Sequence, residues 1–428
     1  MKHILKNVIL GIWVLFPVVS YTAPFQAIST SISSNPAAVN SVAGNGALQT
    51  YLEEKVHITN DHGIQFGGML LGDINDLFSG GIPDAKRWTN DDLLLFNITV
   101  DTEKIGAWKN GLFGVQYLKL YAQQVNEQAG AVEGYNSIVG VNPTSRSELY
   151  QIWYRHVLLN EKLIIRIGKS VPTTDFGNII SPIPLTLAND IPSVTGLIYT
   201  PVFINSSQLG VLPGYYNSAY GVTLNFVPVK SWYFNYGVFD GNLARGVQTG
   251  LNVLPTLNGS YFHIAETGAA WLLKKNAYPG KAGIGGWYED GLVQAGALSE
   301  QNAAGFYLFG SQRLWYTTSE NDFSGISGFY QYGFNNSDVL PVSQYVGAGL
   351  TAFGLVPKRH DDSFGVGASV GWLNDNIFSR ATEVMYQGYY QAKITNGLYL
   401  EPAVTYLPTP GASQSAAWAG TLRAILLF

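Results

Sequence analysis

Polar and apolar residues alternate along long stretches of this chain. Between Glu383 and Ile394, one parity carries Glu383, Met385, Gln387, Tyr389, Gln391 and Lys393, while the other carries Val384, Tyr386, Gly388, Tyr390, Ala392 and Ile394. The same split recurs in Leu398 to Tyr406, Leu94 to Glu103, Lys162 to Lys169 and Tyr220 to Phe226. A period of two is the signature of strands with two unlike faces. The segments suggest about sixteen strands, the first near His62 and the last near Ser415, each about ten residues long. Tight turns are expected at Asn160, Pro228, Asn276, Pro357 and Asn396, where Pro, Asn and Gly supply turn geometry. Long connections are expected on the other side, at Ile74 to Asn90, Gln124 to Arg146, Ser170 to Tyr216 and Gly241 to Gly259.

A soluble sandwich would pack its apolar faces together, whereas a membrane barrel turns them to lipid and lines its interior with polar groups. Three features favour the barrel. Aromatics gather near segment ends, as at Trp232, Trp271, Trp287, Trp315 and Trp372. Short and long connections alternate. The last strand, with Trp418, Gly420, Leu422, Ala424 and Leu426 on one parity, runs out to Phe428. The expected fold class is therefore all-β, a transmembrane antiparallel up-and-down barrel over 62–428. The segment Ser170 to Tyr216 is too long for a plain connector. It is rich in proline and aliphatic residues and carries two charges, Asp175 and Asp190, so it is expected to fold inward and narrow the lumen, the alternative being a surface loop that rests on a neighbouring subunit.

Composition sharpens this reading. Only 12% of residues are charged and 13% are aromatic, so charge does not keep this chain in water. Cysteine is absent, which removes disulfide and thiolate metal chemistry and suits passage through an oxidising periplasm. The N-terminus has Lys2 and Lys6 before an apolar stretch from Val8 to Val19, a secretory signal peptide over 1–23 with cleavage after Ser20 or Ala23. Residues 24–61 then form a periplasmic segment. Past the leader no apolar run approaches the ~20 residues of a membrane helix.

An arginine facing lipid at mid-membrane costs about 2–4 kcal/mol, so charged residues within strands should point inward. Arg166, Arg313 and Arg423 are the leading pore-lining candidates, with Glu383 and Glu401 facing them from neighbouring strands. Tyr307 and Trp315 share the parity of Arg313. Each such charge could equally form a structural ladder that stiffens the wall. Arg155, His156, Glu148 and Glu266 are weaker candidates, because apolar residues occur on both parities of their strands. Arg87 and Trp88 lie in the first long loop, at the mouth or in solvent. The motif GASVG, Gly367 to Gly371, matches a nucleophile elbow formally but sits inside an alternating strand. The histidines lack zinc spacing, and no nucleotide fingerprint lies in a strand-turn-helix context. No catalytic residue, cofactor, metal or nucleic-acid partner is expected. Calcium binding near Asp73 and Asp76 stays open.

Several segments together resemble the carbohydrate-selective porins of OprB type. They are LLGDINDLFSGG (Leu70 to Gly81), TVDTEKIGAWKNGLF (Thr99 to Phe113) and SELYQIWYRHVLLNEKLIIRIGK (Ser147 to Lys169), followed by Asp175 and Phe176. SAYGVTLNFVPVKSWYFNYGVFDGN (Ser218 to Asn242), Glu266, Pro279 to Gly280, Gly285 to Tyr288 and GLVPKRHDD (Gly354 to Asp362) continue the order up to the closing Phe. The stretch DINDLFSGG is more acidic and apolar than the family's usual one, which leaves the first loop's contribution open. The resemblance implies a sixteen-stranded barrel of the Gram-negative outer membrane that passes sugars by passive diffusion through a constriction. Sugars as solutes are the implied partners, with outer-membrane lipid around the barrel, and the sequence leaves both a monomer and a homo-oligomer open. An anion-preferring or general porin is the alternative within transport, and a barrel-based adhesin or outer-membrane enzyme is the alternative outside it.

Overall fold

The computed structural model describes residues 62–428 except 139–144, 173–174, 178–195, 205–212, 215–216, 230, 242–256, 258–259, 274–277, 296, 318–323 and 414. The leader and the 24–61 segment lie outside the described residues. Sixteen strands follow in chain order: β1 (Ile64–Ser79), β2 (Trp88–Asp101), β3 (Gly111–Ala122), β4 (Ser145–Leu158), β5 (Leu163–Ser170), β6 (Ala219–Val229), β7 (Trp232–Asp240) and β8 (Tyr261–Leu273). The second half comprises β9 (Tyr278–Ala295), β10 (Leu298–Tyr316), β11 (Gly325–Asn335), β12 (Val342–Phe353), β13 (Ser363–Leu373), β14 (Thr382–Thr395), β15 (Leu398–Leu407) and β16 (Ala417–Leu427). A single helical turn, α1 (Val125–Ala129), follows β3. Each strand pairs antiparallel with its chain neighbours, and β1 pairs with β16 to close the barrel, with Leu70 opposite Leu426. Closure leaves no unpaired strand edge, which is what a sheet in lipid requires.

The alternation read from the sequence is the barrel's two faces. On β16, Trp418, Leu422 and Leu426 are exposed on the outside, while Thr421, Arg423, Ile425 and Leu427 are buried inside. Aromatic residues stack along the outer wall, as Trp418 on Tyr406 at 4.4 Å between ring centroids. The connections on the side where β1 begins and β16 ends include the two-residue turn at Asn396 and Gly397, with Gly397 at φ 88°, a conformation that glycine adopts without strain. The longest connections, after β3, β5 and β7, lie on the opposite side. One exception is β9 to β10, where the two longest strands meet in a short turn on the long-loop side. The first long loop is also shorter than expected. Ile74 to Ser79 belongs to β1 and Trp88 to Asn90 to β2, because the alternation of the acidic stretch continues as a paired strand with Asp76 opposite Trp88.

The interior differs from a polar, water-lined lumen. Met69, Leu71, Leu93, Leu118, Leu120, Tyr399, Ile425 and Leu427 point inward from β1–β3, β15 and β16 and pack with Ile138 and Val171 from the long connections. Where a connection fills the lumen, the wall behind it meets protein instead of water, and apolar side chains become the favourable choice.

Candidate functional site: the narrowed lumen

Among the described residues, two long segments enter the barrel. In the described parts of 171–218, Phe176, Leu197, Ile198, Tyr199, Val202, Phe203 and Ile204 are buried against inward residues including Trp287, Tyr307, Phe309, Tyr345 and Tyr389. Phe203 packs edge-on to Tyr307 and Phe309, and its carbonyl lies 1.9 Å from where a Cβ on Gly333 would stand, so only glycine permits this approach. The second intruder, 123–138, was expected from the sequence only as an outer loop. It carries α1, and most of it is buried inside. The two segments bond to each other, Ser137 N to Ile198 O at 2.7 Å and Thr200 N to Gly134 O at 2.9 Å. Both are held by Gln387 of β14. Its Oε1 accepts from Ile198 N and Tyr199 N at 2.7 and 3.1 Å, while its Nε2 donates to Tyr135 O at 3.0 Å.

The charged residues singled out in the sequence divide by what they hold. Arg423 grips Asp73 of β1 with Nε and Nη2 at 2.9 and 2.7 Å, and Nη2 also donates to Asn136 Oδ1 of the 123–138 segment at 3.1 Å. Asp73 is thus an inward strand residue with a guanidinium partner. Glu401 stands opposite Arg423 and accepts a hydrogen bond from Gln391. Glu383 accepts from the backbone N–H groups of Val132, Glu133 and Gly411. Glu266 accepts Tyr233 Oη and Tyr307 Oη, both at 2.7 Å, and Gly177 N at 2.6 Å, so Tyr307 serves to seat the start of the inward segment. Arg313 is buried on the inner face with its guanidinium 4.7 Å from the ring centre of Tyr316.

Trp315 does not share that face. A β-bulge between Arg313 and Trp315 puts Trp315 opposite the outward Ile326 and leaves it 45% exposed, while Tyr316 takes the inner position. One extra residue in a bulge reverses every later side chain, which simple parity counting misses. A second bulge explains the mixed parities of β4. Gln116 pairs with Gln151 but Tyr117 with Leu149, so Tyr150 is the extra residue. Beyond it Gln151, Trp153 and Arg155 face inward, and His156 faces outward, where its Nδ1 lies 2.6 Å from Tyr154 Oη. Before the bulge Glu148 faces inward and pairs with Arg146 at 2.7 Å and Lys169 at 3.8 Å. Arg87 is exposed and pins the end of β1 by donating to Leu77 O at 2.7 Å, and Trp88 is an outward strand residue, so neither enters the lumen.

The wall of β4–β6 carries a different arrangement. Arg166 pairs with Asp175 at 2.7 Å and lies over Trp153 at 5.0 Å. Burial pushes the Asp175 carboxyl up from its usual range, against the pull of Arg166 beside it. Arg155 stands directly across the strand pair from Arg166. It is half-buried, its Nε has no hydrogen-bond partner, and no ion pair engages it among the described residues. The sequence offered no means of ranking it above Arg166, since only the loop's return at Asp175 decides which guanidinium is occupied. The sequence pattern does not mark Gln387, Asn136 or Trp153 as site residues, because a neutral side chain carries no cost argument that fixes its direction. Among the described residues no group of three or more His, Asp or Glu side chains could hold a metal ion.

The family model of carbohydrate-selective porins of the OprB family matches residues 85–425 of the chain. Among solved structures, the high-pH structure of Pseudomonas putida OprB is similar at 17% identity with a TM-score of 0.74, covering 89% of this chain and 96% of that one. The low-pH structure of the same protein is similar at 14% identity with a TM-score of 0.57, covering 90% and 98%. No curated protein matches the chain in sequence. With the closed barrel, its narrowed lumen and a family match over most of its length, the chain belongs to the OprB family of carbohydrate-selective porins.

Proposed function

We propose that sugars cross this outer-membrane porin along the β4–β6 side of the lumen, and that Arg155 is the guanidinium that meets them. The supporting observation is that it lacks an ion-pair partner among the described residues. Arg423 and Arg166 already spend donors on Asp73 and Asp175, whereas no salt bridge engages Arg155 there. A guanidinium presents several N–H donors in one plane and suits the vicinal hydroxyls of a sugar ring. One or two such contacts in a half-wet channel retain a sugar briefly and then release it, as conduction demands. No bond is made or broken in the solute.

The test is planar-bilayer current block and liposome swelling with sugars and with non-sugar polyols of equal size, on the natural protein and on Arg155→Gln. The variant should lose its preference for sugars while still conducting ions. An unchanged preference overturns the assignment of Arg155. A second reading rests on Arg155 and Arg166 facing one carboxylate, Asp175, which leaves local positive charge and favours small anions. Reversal potentials in a salt gradient separate the two, since only the second reading requires anion selectivity that falls in Arg155→Gln.

A further inference from the structure

The 123–138 segment is fastened by two carboxyl groups of unlike character. Glu383 Oε1 accepts from Val132 N at 3.1 Å and Glu133 N at 2.8 Å, and Oε2 from Val132 N at 2.9 Å and Gly411 N at 2.6 Å. Its acceptor positions are filled by backbone N–H donors. Glu133, the next residue along, is fully buried. Its Oε2 accepts Ser369 Oγ at 2.6 Å, but Oε1 has no hydrogen-bond partner and lies 2.2 Å from where a Cβ on Gly371 would stand. The carboxyl therefore sits flat on the bare backbone of β13.

The groups around it offer no counter-charge. Glu383 faces it from β14, Tyr345 from β12 and Tyr199 from the second inward segment. The cation acting on this pair is Arg380, in the connection before β14, and its influence falls on Glu383. No Lys or Arg forms an ion pair with Glu133 among the described residues. A buried, unpaired carboxylate beside a second buried carboxyl group is strongly unfavourable, so the seated arrangement calls for a neutral acid at this position.

We propose that Glu133 is the proton-sensitive catch of a latch on the lumen: the 123–138 segment stays seated while Glu133 is protonated and lifts from the β12–β14 wall when that proton passes to bulk base. The latch rests on the porin reading and supplies its regulation. Desolvation first, and Glu383 second, hold the Glu133 carboxyl well above its ordinary value in the seated state. The sign follows from that direction. Stabilisation of the seated state is complete below the ordinary carboxylate range and is lost as pH rises through the seated value, at no more than about tenfold in the seated-to-lifted ratio per pH unit for one proton.

Single-channel conductance and sugar flux, measured from about pH 6 to about pH 10 in planar bilayers, test the latch on the full protein, on Glu133→Gln and on the double variant Val132→Cys with Gly411→Cys. A Cβ on Gly411 would lie 2.6 Å from Val132 Cγ2, so a disulfide can tie the segment to the connection after β15. The natural protein should gain conductance at alkaline pH, Glu133→Gln should stay at the low level throughout, and the disulfide should suppress the gain until reductant is added. An equal alkaline gain in Glu133→Gln, or none in the natural protein, overturns the latch. Should Glu133→Gln not fold, the disulfide pair decides, because a gain unaffected by the lock overturns it too. A folded barrel that conducts at no pH in any form overturns the porin reading itself and the latch with it.

Discussion

Two walls of the lumen use the same kinds of side chain for opposite ends. On the wall formed by β13–β16 and β1, Glu383, Gln387, Arg423 and Asp73 give their hydrogen-bonding capacity to the inward segments and to each other. On the wall of β4–β6, Arg166 is committed to Asp175 while no ion pair engages Arg155 among the described residues. Charge in a barrel interior is therefore not a direct sign of solute contact. What distinguishes an anchor from a contact is whether its donors and acceptors are already used.

Removing an anchor should have the largest effect. Arg423→Ala strips a buried, bidentate partner from Asp73, and breaking one side of such a pair costs about 3–5 kcal/mol. Denaturant unfolding in detergent, read by the barrel's gel mobility, measures it. A loss as small as that of a surface pair would mean that the two walls do not differ in kind. Next in size is Gln387→Ala, which leaves the amides of Ile198 and Tyr199 without their acceptor, at about 1–3 kcal/mol for a buried unsatisfied group. Its expected signature is a larger and noisier conductance, and a quiet channel of natural size would argue that the segments are held by apolar packing alone.

Arg155→Gln sharpens the contrast from the other side. It should change stability less than Arg423→Ala does, because no ion pair engages Arg155 among the described residues, while it alters sugar block. The smallest effect lies outside the membrane-spanning strands, in the connection 354–362. Burial pushes the Asp362 carboxyl up, but the hydrogen bonds from Arg359 at 2.6 Å, from Tyr390 and from Lys393 N outweigh it and hold the group below its ordinary value. That stabilisation is present above the ordinary carboxylate range and is lost as pH falls through the folded value. Asp362→Asn should blunt the acid sensitivity of this turn in hydrogen exchange and leave sugar flux unchanged, in contrast to either lumen wall.

The strands were legible because lipid outside and buried segments inside impose a strict alternation, and β14 to β16 match it residue by residue. Legibility ended where one extra residue entered a strand. By parity Trp315 belongs to the lumen yet it faces outward, and Arg155 is only a weaker candidate by sequence, each because of a bulge that no local preference announces. The 123–138 segment is illegible in the sequence for a different reason. Its inward path is decided by partners such as Gln387 and Glu383, some 250 positions later in the chain.

The sequence by itself determined that this chain forms a barrel, which side chains of its regular strands turn away from lipid, and that a long, nearly uncharged connection after β5 would be poor as a solvated loop. These follow from costs that each residue incurs locally, against hydrocarbon or against water. Only the tertiary structure decided which inward charges are anchors, that a second segment shares the lumen, and that Arg166 and Arg423 are ion-paired while no ion pair engages Arg155 among the described residues. Those outcomes depend on which groups meet across the barrel, and a hydrogen-bonding group's role is settled by its partner as much as by itself.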